Sequence, residues 1–335
     1  MIILAFESSC DETSVAVAEI DNNIYKIRSN IVASQITMHT LYGGVVPEIA
    51  SRAHTEAISK LTYEALTEAC VTPDDIDFVA VTSNPGLIGA LLVGVGYAKA
   101  WAYAHNKPLV AVNHIKGHTA AAYYSHEGLK APFFALVASG GHTSMIDVKS
   151  PTEYITVGRT RDDAAGEAFD KIARILGIGY PGGAVMDKLA YEGNEKAIKL
   201  PCPALADGID FSFSGLKTAV INYVNSEKQR GNEISHADIA ASFSAAVVKA
   251  IITNLKKAHE IYGYKTLVIA GGVAANSHIR AAAAEFAEKQ GIRLCIPEKS
   301  LCGDNAAMIA AQGYHEYIAG NIADSSLNAF SYQVT

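Results

Sequence analysis

"MIILAFESSCDETSVAVAEI", residues 1–20, and "FFALVASGGHTSMIDV", residues 133–148, decide the fold of this chain when set side by side. Each opens on an apolar run of strand length, breaks in a tight turn, and resumes with Thr-Ser at the head of a second strand. In the first copy, strands are expected over residues 2–6 and 13–20. The turn Asp21-Asn22-Asn23 then leads into a third strand over residues 24–33. A helix over residues 48–70, the strand "FVAVT", an apolar helix from Leu87 and the strand "PLVAV" complete this half.

The second copy repeats the order. "EYITVGRT" supplies its third strand, and a helix follows from Ala164. A long amphipathic helix opens with Ser235 and Asp238 as a capping pair and repeats apolar residues at Phe243, Val247 and Ile251. The strand "TLVIA", a helix from about Asn276, the strand "IRLCI" and a last helix near Asp304 follow. Two such copies predict an internally duplicated α/β fold, with two βββαβα-type lobes around a ligand cleft. The lobes are expected over residues 1–115 and 116–335, with residues 176–235 as an insertion that fits neither copy.

Composition narrows the class. Of 335 residues, half are apolar and 18% charged, below the usual quarter, so the chain buries a large core. The net charge of −7 argues against a nucleic-acid surface spread over the whole molecule. "KKAHEIYGYK", "EKQRG" and Arg52 are the local basic stretches, and solvated helix faces account equally for such runs. Five scattered cysteines without a CxxC pair suit reduced thiols in a cytoplasmic protein. The N-terminal apolar run is too short for a signal peptide. "GLIGALLVGVGYAKAWAYA" contains Lys99 and four glycines and reads as a core helix, so no membrane anchor is expected.

Four turns at strand ends, "ESSCDET", "SNPGLIGALLVG", "ASGGHTS" and "AGGVAANS", leave backbone N–H groups free for phosphate or adenylate groups. None matches a P-loop or a complete GxGxxG. Asn84, in the second turn, is a residue that tolerates a left-handed backbone. Carboxylates mark two regions: Glu7, Asp11 and Glu12 in the first turn, and Asp162, Asp163, Glu167 and Asp170 in "RDDAAGEAFDK". Asp162 and Asp163 read as the acidic first turn of a helix, and Asp170 as a ligand contact. Lys217 is either a phosphate contact or an ordinary surface lysine.

His114 and His118, in "NHIKGH", stand four residues apart on one helix face, so both can reach one ion. Such a pair is also compatible with two ordinary polar residues. A zinc protease needs H-E-x-x-H with the glutamate as general base, and the residue after His114 is Ile115. The protease reading fails on that point.

"ESSCDETSVA", "GGVVPEIASRAH", "NHIKGH", "SGGHTS", "DDAAGEAFDK", "YPGG", "FSFSGLKT", "AGGVAANS" and "GDNAAM" occur in this order from end to end. Together they resemble the bacterial tRNA N6-adenosine threonylcarbamoyltransferases, once mislabelled as a sialoglycoprotein endopeptidase. That family belongs to the actin/Hsp70/sugar-kinase (ASKHA) superfamily of duplicated folds. The resemblance implies transfer of a threonylcarbamoyl group from threonylcarbamoyl-AMP to N6 of the adenosine 3′ of the anticodon, in tRNAs reading codons that begin with A. It places metal ligands at His114, His118 and Asp304. It places adenylate contacts at Val137, Ala138, Ser139, Gly140, Gly141, Asp170, Gly183, Asp187 and Asn276. Its members work with an inactive paralogue and a small P-loop ATPase. Residues that depart from the common family pattern include Asn84, Ala138, Gly303 and Ala306.

Two histidines and a carboxylate form a facial set with open positions, typical of Fe(II), with zinc as an alternative. Such an ion would orient the acyl donor and polarise its carbonyl. Asp11 or Glu12 is the candidate general base for the N6 amine, unless these carboxylates only bind a cation or cap a turn. Glu7, at the end of the first strand, is read as an acid that organises phosphate and cation, and His142 as a hydrogen-bond donor beside the adenylate turn. An ATP-dependent kinase on the same fold is the competing reading; it explains the turns but gives the histidine pair no task. A non-catalytic scaffold would lack the metal ligands. With 27 basic against 34 acidic residues, weak tRNA binding by this chain alone is expected, partner subunits completing the surface.

Overall fold

A computed structural model of the chain describes residues 1–205 and 207–332. In chain order its strands are β1 (Ile2–Glu7), β2 (Glu12–Asp21), β3 (Ile24–Ser34), β4 (Phe78–Asn84), β5 (Leu109–Asn113), β6 (Phe133–Ala138), β7 (Thr143–Val148), β8 (Tyr154–Arg159), β9 (Thr266–Ala270) and β10 (Arg293–Cys295). The helices are α1 (Ile36–Thr40), α2 (Pro47–Glu68), α3 (Ile88–Ala104), α4 (His114–Ala120), α5 (Ala122–Ser125), α6 (Ala165–Ile175), α7 (Gly183–Leu189), α8 (Ser214–Arg230), α9 (His236–Tyr262), α10 (Ser277–Gln290) and α11 (Ala306–Ile318). The strands form two five-stranded sheets, ordered β3-β2-β1-β4-β5 and β10-β9-β6-β7-β8. The second order, read from β8, repeats the first strand for strand. In both, the first two strands pair antiparallel and the central strand pairs parallel with the strand that follows the helices. This is the duplication that the two N-terminal stretches announce.

Two compact units carry these sheets. The first comprises Met1–Ala131, Lys149–Tyr154 and the chain from Pro297 onward; the second comprises Pro132–Val148 and Ile155–Ile296. The expected division at residue 115 therefore falls inside α4, within the first unit. The reason lies in α11, which returns to the first sheet. Residues 176–235 lie wholly in the second unit and add α7 and α8, which have no counterpart between β3 and β4.

Alternation along the strands splits the first unit's core into two layers. Leu4, Phe6, Val15, Val17, Val79 and Val81 face one way and pack on Ile58, Leu61 and Ala65 of α2 and Leu91, Val95 and Ala98 of α3. Ile3, Ala5, Ala16, Ala18, Phe78, Ala80, Val110 and Val112 face the other way, against Ala306, Ala307, Met308, Ile309 and Ala310 of α11. Burying a side chain such as Phe6 or Leu4 contributes about 1.5–3 kcal/mol. The α11 layer is made of small residues, so the helix lies close: a Cβ on Gly313 would stand 2.6 Å from that of Ala80. The helix α3, read as a core helix, packs one face on the core and exposes Ile88, Leu92 and Tyr103, because it forms an outer layer.

In the second unit, α9 shows half of the expected capping box: Ser235 accepts a hydrogen bond from Asp238 N–H, whereas Asp238 Oδ1 accepts from Asn194 N–H at 2.7 Å, and Gly263 closes the helix in the left-handed region, φ 65°. Its buried face includes Phe243, which meets Phe169 of α6 edge-on at 5.0 Å. By length and composition α9 is also apolar enough to cross a membrane, and 67% of its apolar window is buried inside the protein.

Candidate functional site

The turn after β1 is held from all sides in the first unit. Ser8 Oγ donates to Ala90 O at 3.0 Å, Leu87 N–H donates to Ser9 O at 2.8 Å, and Gln35 N–H donates to Asp11 O at 3.0 Å. His54 Nε2 donates to Cys10 O at 2.9 Å; a carbonyl only accepts, so Nδ1 takes a hydrogen bond from Thr13 Oγ1 at 2.7 Å. Gly86 permits the approach: a Cβ there would stand 2.5 Å from Ser9 O. The neighbouring Asn84 does not use the left-handed region expected of it. A cis Asn84–Pro85 peptide bond shapes the turn, and Asn84 Oδ1 accepts from Asn113 Nδ2 at 2.7 Å.

Asn113 in turn starts α4, its side chain accepting from Ile115 and Lys116 N–H. That cap sets the rotation of a short helix whose next residue is His114. Gly117 brings α4 onto α11, since a Cβ there would lie 2.7 Å from Ile309 Cδ1. On α11, Asn305 caps the helix by accepting from Met308 N–H at 3.0 Å, and Ala306 N–H donates to Ser14 Oγ at 2.9 Å. Asp304, one residue before the cap, is thereby aimed at α4.

His114, His118 and Asp304 come together with their ligand atoms all within 4.8 Å of one another. Asp304 Oδ1 lies 3.2 Å from His118 Nε2 and 3.6 Å from His114 Nε2. The two rings meet edge-on with centroids 4.5 Å apart. His118 is 1% exposed, yet neither ring nitrogen makes a hydrogen bond. Leaving such a group buried and unsatisfied costs about 1–3 kcal/mol. His114 Nδ1 is occupied by Glu7 Oε2 at 3.0 Å and Ser9 Oγ at 3.1 Å. Two imidazole nitrogens and a carboxylate oxygen, one of them buried without a partner, fit the donor set of a divalent transition metal.

The charges agree with a site built for a cation. Burial pulls the His114 imidazolium down, but the carboxylates of Asp304 and Glu7 outweigh it and hold its pKa up at about 9. Burial pushes the Glu7 carboxyl up, and the His114 charge and hydrogen bond overcome it, leaving the group below the usual range. Glu12 is pushed up to about 9 by burial, then by the charges of Asp304 and Asp11. Without a cation it holds a proton at neutral pH. Asp11 is buried, and the same burial and carboxylates raise the Cys10 thiol.

The second unit builds its turns from glycine. Val137, Ala138 and Ser139 are buried at the end of β6, whereas Gly140 and Gly141 are exposed with open space above them. Ser139 O accepts from Gly166 N–H at 3.2 Å, and Cβ atoms on Gly166 and Gly271 would stand 2.6 Å from Ser139 O and 2.3 Å from Ala138 O. Gly271 also takes φ 91°, a region glycine adopts freely. Asp170 Oδ1 accepts from Gly182 N–H at 2.7 Å, fixing the turn before Gly183, the first residue of α7. Asp187 Oδ1 accepts from Ser277 N–H and Oγ at 3.0 and 2.9 Å, and Asn276 caps α10 by accepting from Ile279 N–H. Asp170 and Asp187 thus brace the turns beside Gly183 and Asn276.

Other expectations change. Asp162 caps α8, accepting from Phe213 and Ser214 N–H at 2.7 and 3.2 Å, and does not serve the first turn of α6. Asp163 pairs with Lys171 at 2.7 Å and Lys217 at 3.3 Å, so Lys217 is engaged by a carboxylate. His142 N–H donates to Ser139 Oγ at 3.2 Å and helps close the glycine turn. Glu7 sits behind His114, 1% exposed, and also accepts from Thr82 Oγ1 at 2.6 Å. It organises a histidine, where phosphate and cation were expected. Thr82, His54 and Gly117 escaped the sequence reading; of the three, only Gly117 carries a signal, a glycine in a helix interior.

A family model described as tRNA N6-adenosine threonylcarbamoyltransferase matches residues 26–311. The chain belongs to this family. It is 52% identical over 329 residues to the tRNA N6-adenosine threonylcarbamoyltransferase of Clostridium novyi (strain NT), covering 98% of this chain and 96% of that protein. Among solved structures, HypF of T. kodakarensis superposes with a TM-score of 0.64 at 14% identity, over 97% of this chain and 49% of that one. An activator of 2-hydroxyisocaproyl-CoA dehydratase from Clostridium difficile, with bound ADPNP, gives 0.53 at 13% identity, over 97% and 100%. These structures share the duplicated actin-like fold. As a tRNA N6-adenosine threonylcarbamoyltransferase, the chain is a transferase that modifies tRNA, and the kinase reading is not favoured.

Proposed function

We propose that this transferase takes its acyl group from threonylcarbamoyl-AMP and uses one divalent ion, Fe(II) or alternatively zinc, held by His114, His118 and Asp304. The observation that carries the metal reading is His118, buried with both ring nitrogens unsatisfied and its Nε2 3.2 Å from Asp304. When bound, such an ion supplies orientation of the donor's oxygens and polarisation of its carbonyl. The chain's own residues do the rest. The turn from Val137 to Gly141 takes the adenylate, its two exposed glycines letting backbone N–H groups approach a phosphate. Asp170, Gly183, Asp187 and Asn276 are the further adenylate contacts, their turns braced by Asp170 on Gly182 and by Asp187 on Ser277. The activator from Clostridium difficile carries ADPNP on the same fold, which supports an adenylate ligand for this fold.

The attacking N6 amine must lose a proton as the new amide bond forms and the bond to AMP breaks. Asp11 and Glu12 are the two candidate acceptors; burial, then Asp304 and Asp11, push Glu12 up to about 9 while the site holds no cation. Three residues of the local basic stretches are engaged within the chain: Arg52 pairs with Glu48, Arg230 with Glu227, and Lys257 donates to Leu205 O. This supports an inactive paralogue and a small P-loop ATPase as partners that complete the tRNA surface, all working in the cytoplasm where the tRNA is, without a membrane.

The test is metal content of anaerobically purified protein, wild type beside His114→Ala, with transfer of labelled threonylcarbamoyl from its adenylate to tRNA in the presence of the partners. One ion per chain, lost together with transfer in the variant, supports the reading. Full transfer without metal overturns it.

A further inference from the structure

Glu7 is a carboxylate sealed inside the first unit, 1% exposed, and its hydrogen bonds lead to His114. Its Oε1 accepts from Ser9 N–H at 2.5 Å, and its Oε2 from Thr82 Oγ1 at 2.6 Å and His114 Nδ1 at 3.0 Å. An ionised carboxylate only accepts, so the proton of this last bond sits on Nδ1. Nε2, 3.6 Å from Asp304 Oδ1, is then the nitrogen that can lend its lone pair to an ion. We infer that Glu7 is the positioning residue of the metal centre, selecting the Nε2-ligating tautomer of His114 and supplying the second negative charge that neutralises a buried divalent cation. This inference rests on the metal reading of His114, His118 and Asp304.

The charge count is what separates Glu7 from a simple buried acid. A divalent cation with two neutral imidazoles and Asp304 leaves one net positive charge in a site whose histidines are 1% and 4% exposed. Glu7 offsets that charge from directly behind His114, with Asp11 and Glu12 in the same turn. Thr82 and Ser9 hold the carboxylate so that it cannot swing away, and Thr82 lies on β4, hydrogen-bonded beside β1. Partners of this kind fix ring orientation and raise ligand basicity, and their loss costs about 10–100-fold in metal affinity.

The experiment is Co²⁺ binding to the metal-free full chain, followed by competition affinity, the visible spectrum of the bound ion and the hyperfine-shifted Nδ1 proton signal. Glu7→Gln keeps the shape and removes the charge; its side-chain amide can also donate to Nδ1 and force the proton onto Nε2. It is expected to bind Co²⁺ about 10–100-fold more weakly, with a changed spectrum and loss of the slowly exchanging Nδ1 proton. Thr82→Val removes one anchor and leaves Glu7 in place, so it is expected to weaken Co²⁺ binding less while keeping the spectrum; it serves if Glu7→Gln fails to fold. Thermal melting of the metal-free variants separates a folding defect from a site defect. One Co²⁺ per wild-type chain with unchanged affinity, spectrum and Nδ1 signal in Glu7→Gln overturns the role of Glu7 alone. If that variant does not fold, unchanged affinity in Thr82→Val overturns it. Failure of wild-type protein to bind Co²⁺ overturns the metal reading and, with it, this inference.

Discussion

The turn between β1 and β2 and the turn between β6 and β7 occupy the same place in two sheets of the same order, yet they are built from opposite chemistry. The first, "ESSCDET", has no glycine and sets Glu7, Asp11 and Glu12 around a buried turn; it depends on glycines lent by other elements, Gly86 among them. The second, "ASGGHTS", has no carboxylate, and its two glycines stand open to solvent. Duplication supplied one scaffold twice, and the two turns then diverged, one rich in carboxylates and the other in glycine.

The sharpest way to break this division is His114→Ala. Removing a ligand is expected to exceed the effect of losing a positioning partner, so metal content and transfer should both fall by more than about 100-fold. If transfer survives with the ion gone, the ion has no part in the reaction. Next in size is Gly271→Ala, which forces a Cβ to 2.3 Å from Ala138 O at φ 91°. Urea unfolding should show a loss of about 1–3 kcal/mol. Gly140→Ala, with nothing within 4 Å, should leave stability within about 0.5 kcal/mol while weakening adenylate binding. An adenylate affinity equal to wild type would remove the second turn from the donor site.

The pH dependence follows from His114. Its pKa in the folded, metal-free protein is about 9, above its ordinary 6.5, so an entering cation displaces a proton throughout the neutral range. Apparent affinity for Co²⁺ should rise about tenfold per pH unit up to about 9 and level off above it. In the metal-free protein the same group stabilises the fold fully below pH 6.5, a contribution lost as pH rises through 9. A flat affinity profile would show that the proton on His114 does not compete with the ion. The smallest expected effect is Lys217→Ala. Its partner Asp163 keeps Lys171, so stability should change by less than about 1 kcal/mol and adenylate affinity should not move.

How far the sequence could be read differs between the two turns in the same way. Thr-Ser at the head of β2 and β7, the Ser235 cap of α9, and the glycines at strand ends are local signals, and the structure keeps each of them. The pairing of His114 with His118 was local too, one helical turn apart. Asp304, by contrast, was assigned through the family's pattern, because nothing local ties residue 304 to residue 118; α11 does, by packing against α4 through Gly117. Glu7 was visible as an acid at a strand end, but its partner Thr82 lies 75 residues away, so its task depends on the pairing of β1 with β4. Asp162 misled for the same reason: it precedes α6 in sequence and caps α8 in space. Capping rules find the cap without saying which helix it serves.

The return of α11 to the first sheet has a consequence for synthesis. Chains emerge from the ribosome N-terminus first, at about 5–20 residues per second, and domains tend to fold as they appear. Here the first sheet is complete at β5, yet its second face stays bare until α11 arrives, after the whole of the second unit has been made. His114 and His118 wait through the same interval for Asp304. A nascent chain therefore exposes a patch of apolar residues on β1, β2 and β4, Ile3, Ala16 and Phe78 among them. The triad of His114, His118 and Asp304 can assemble only in a chain that has been translated past residue 304, a late event in the life of the polypeptide.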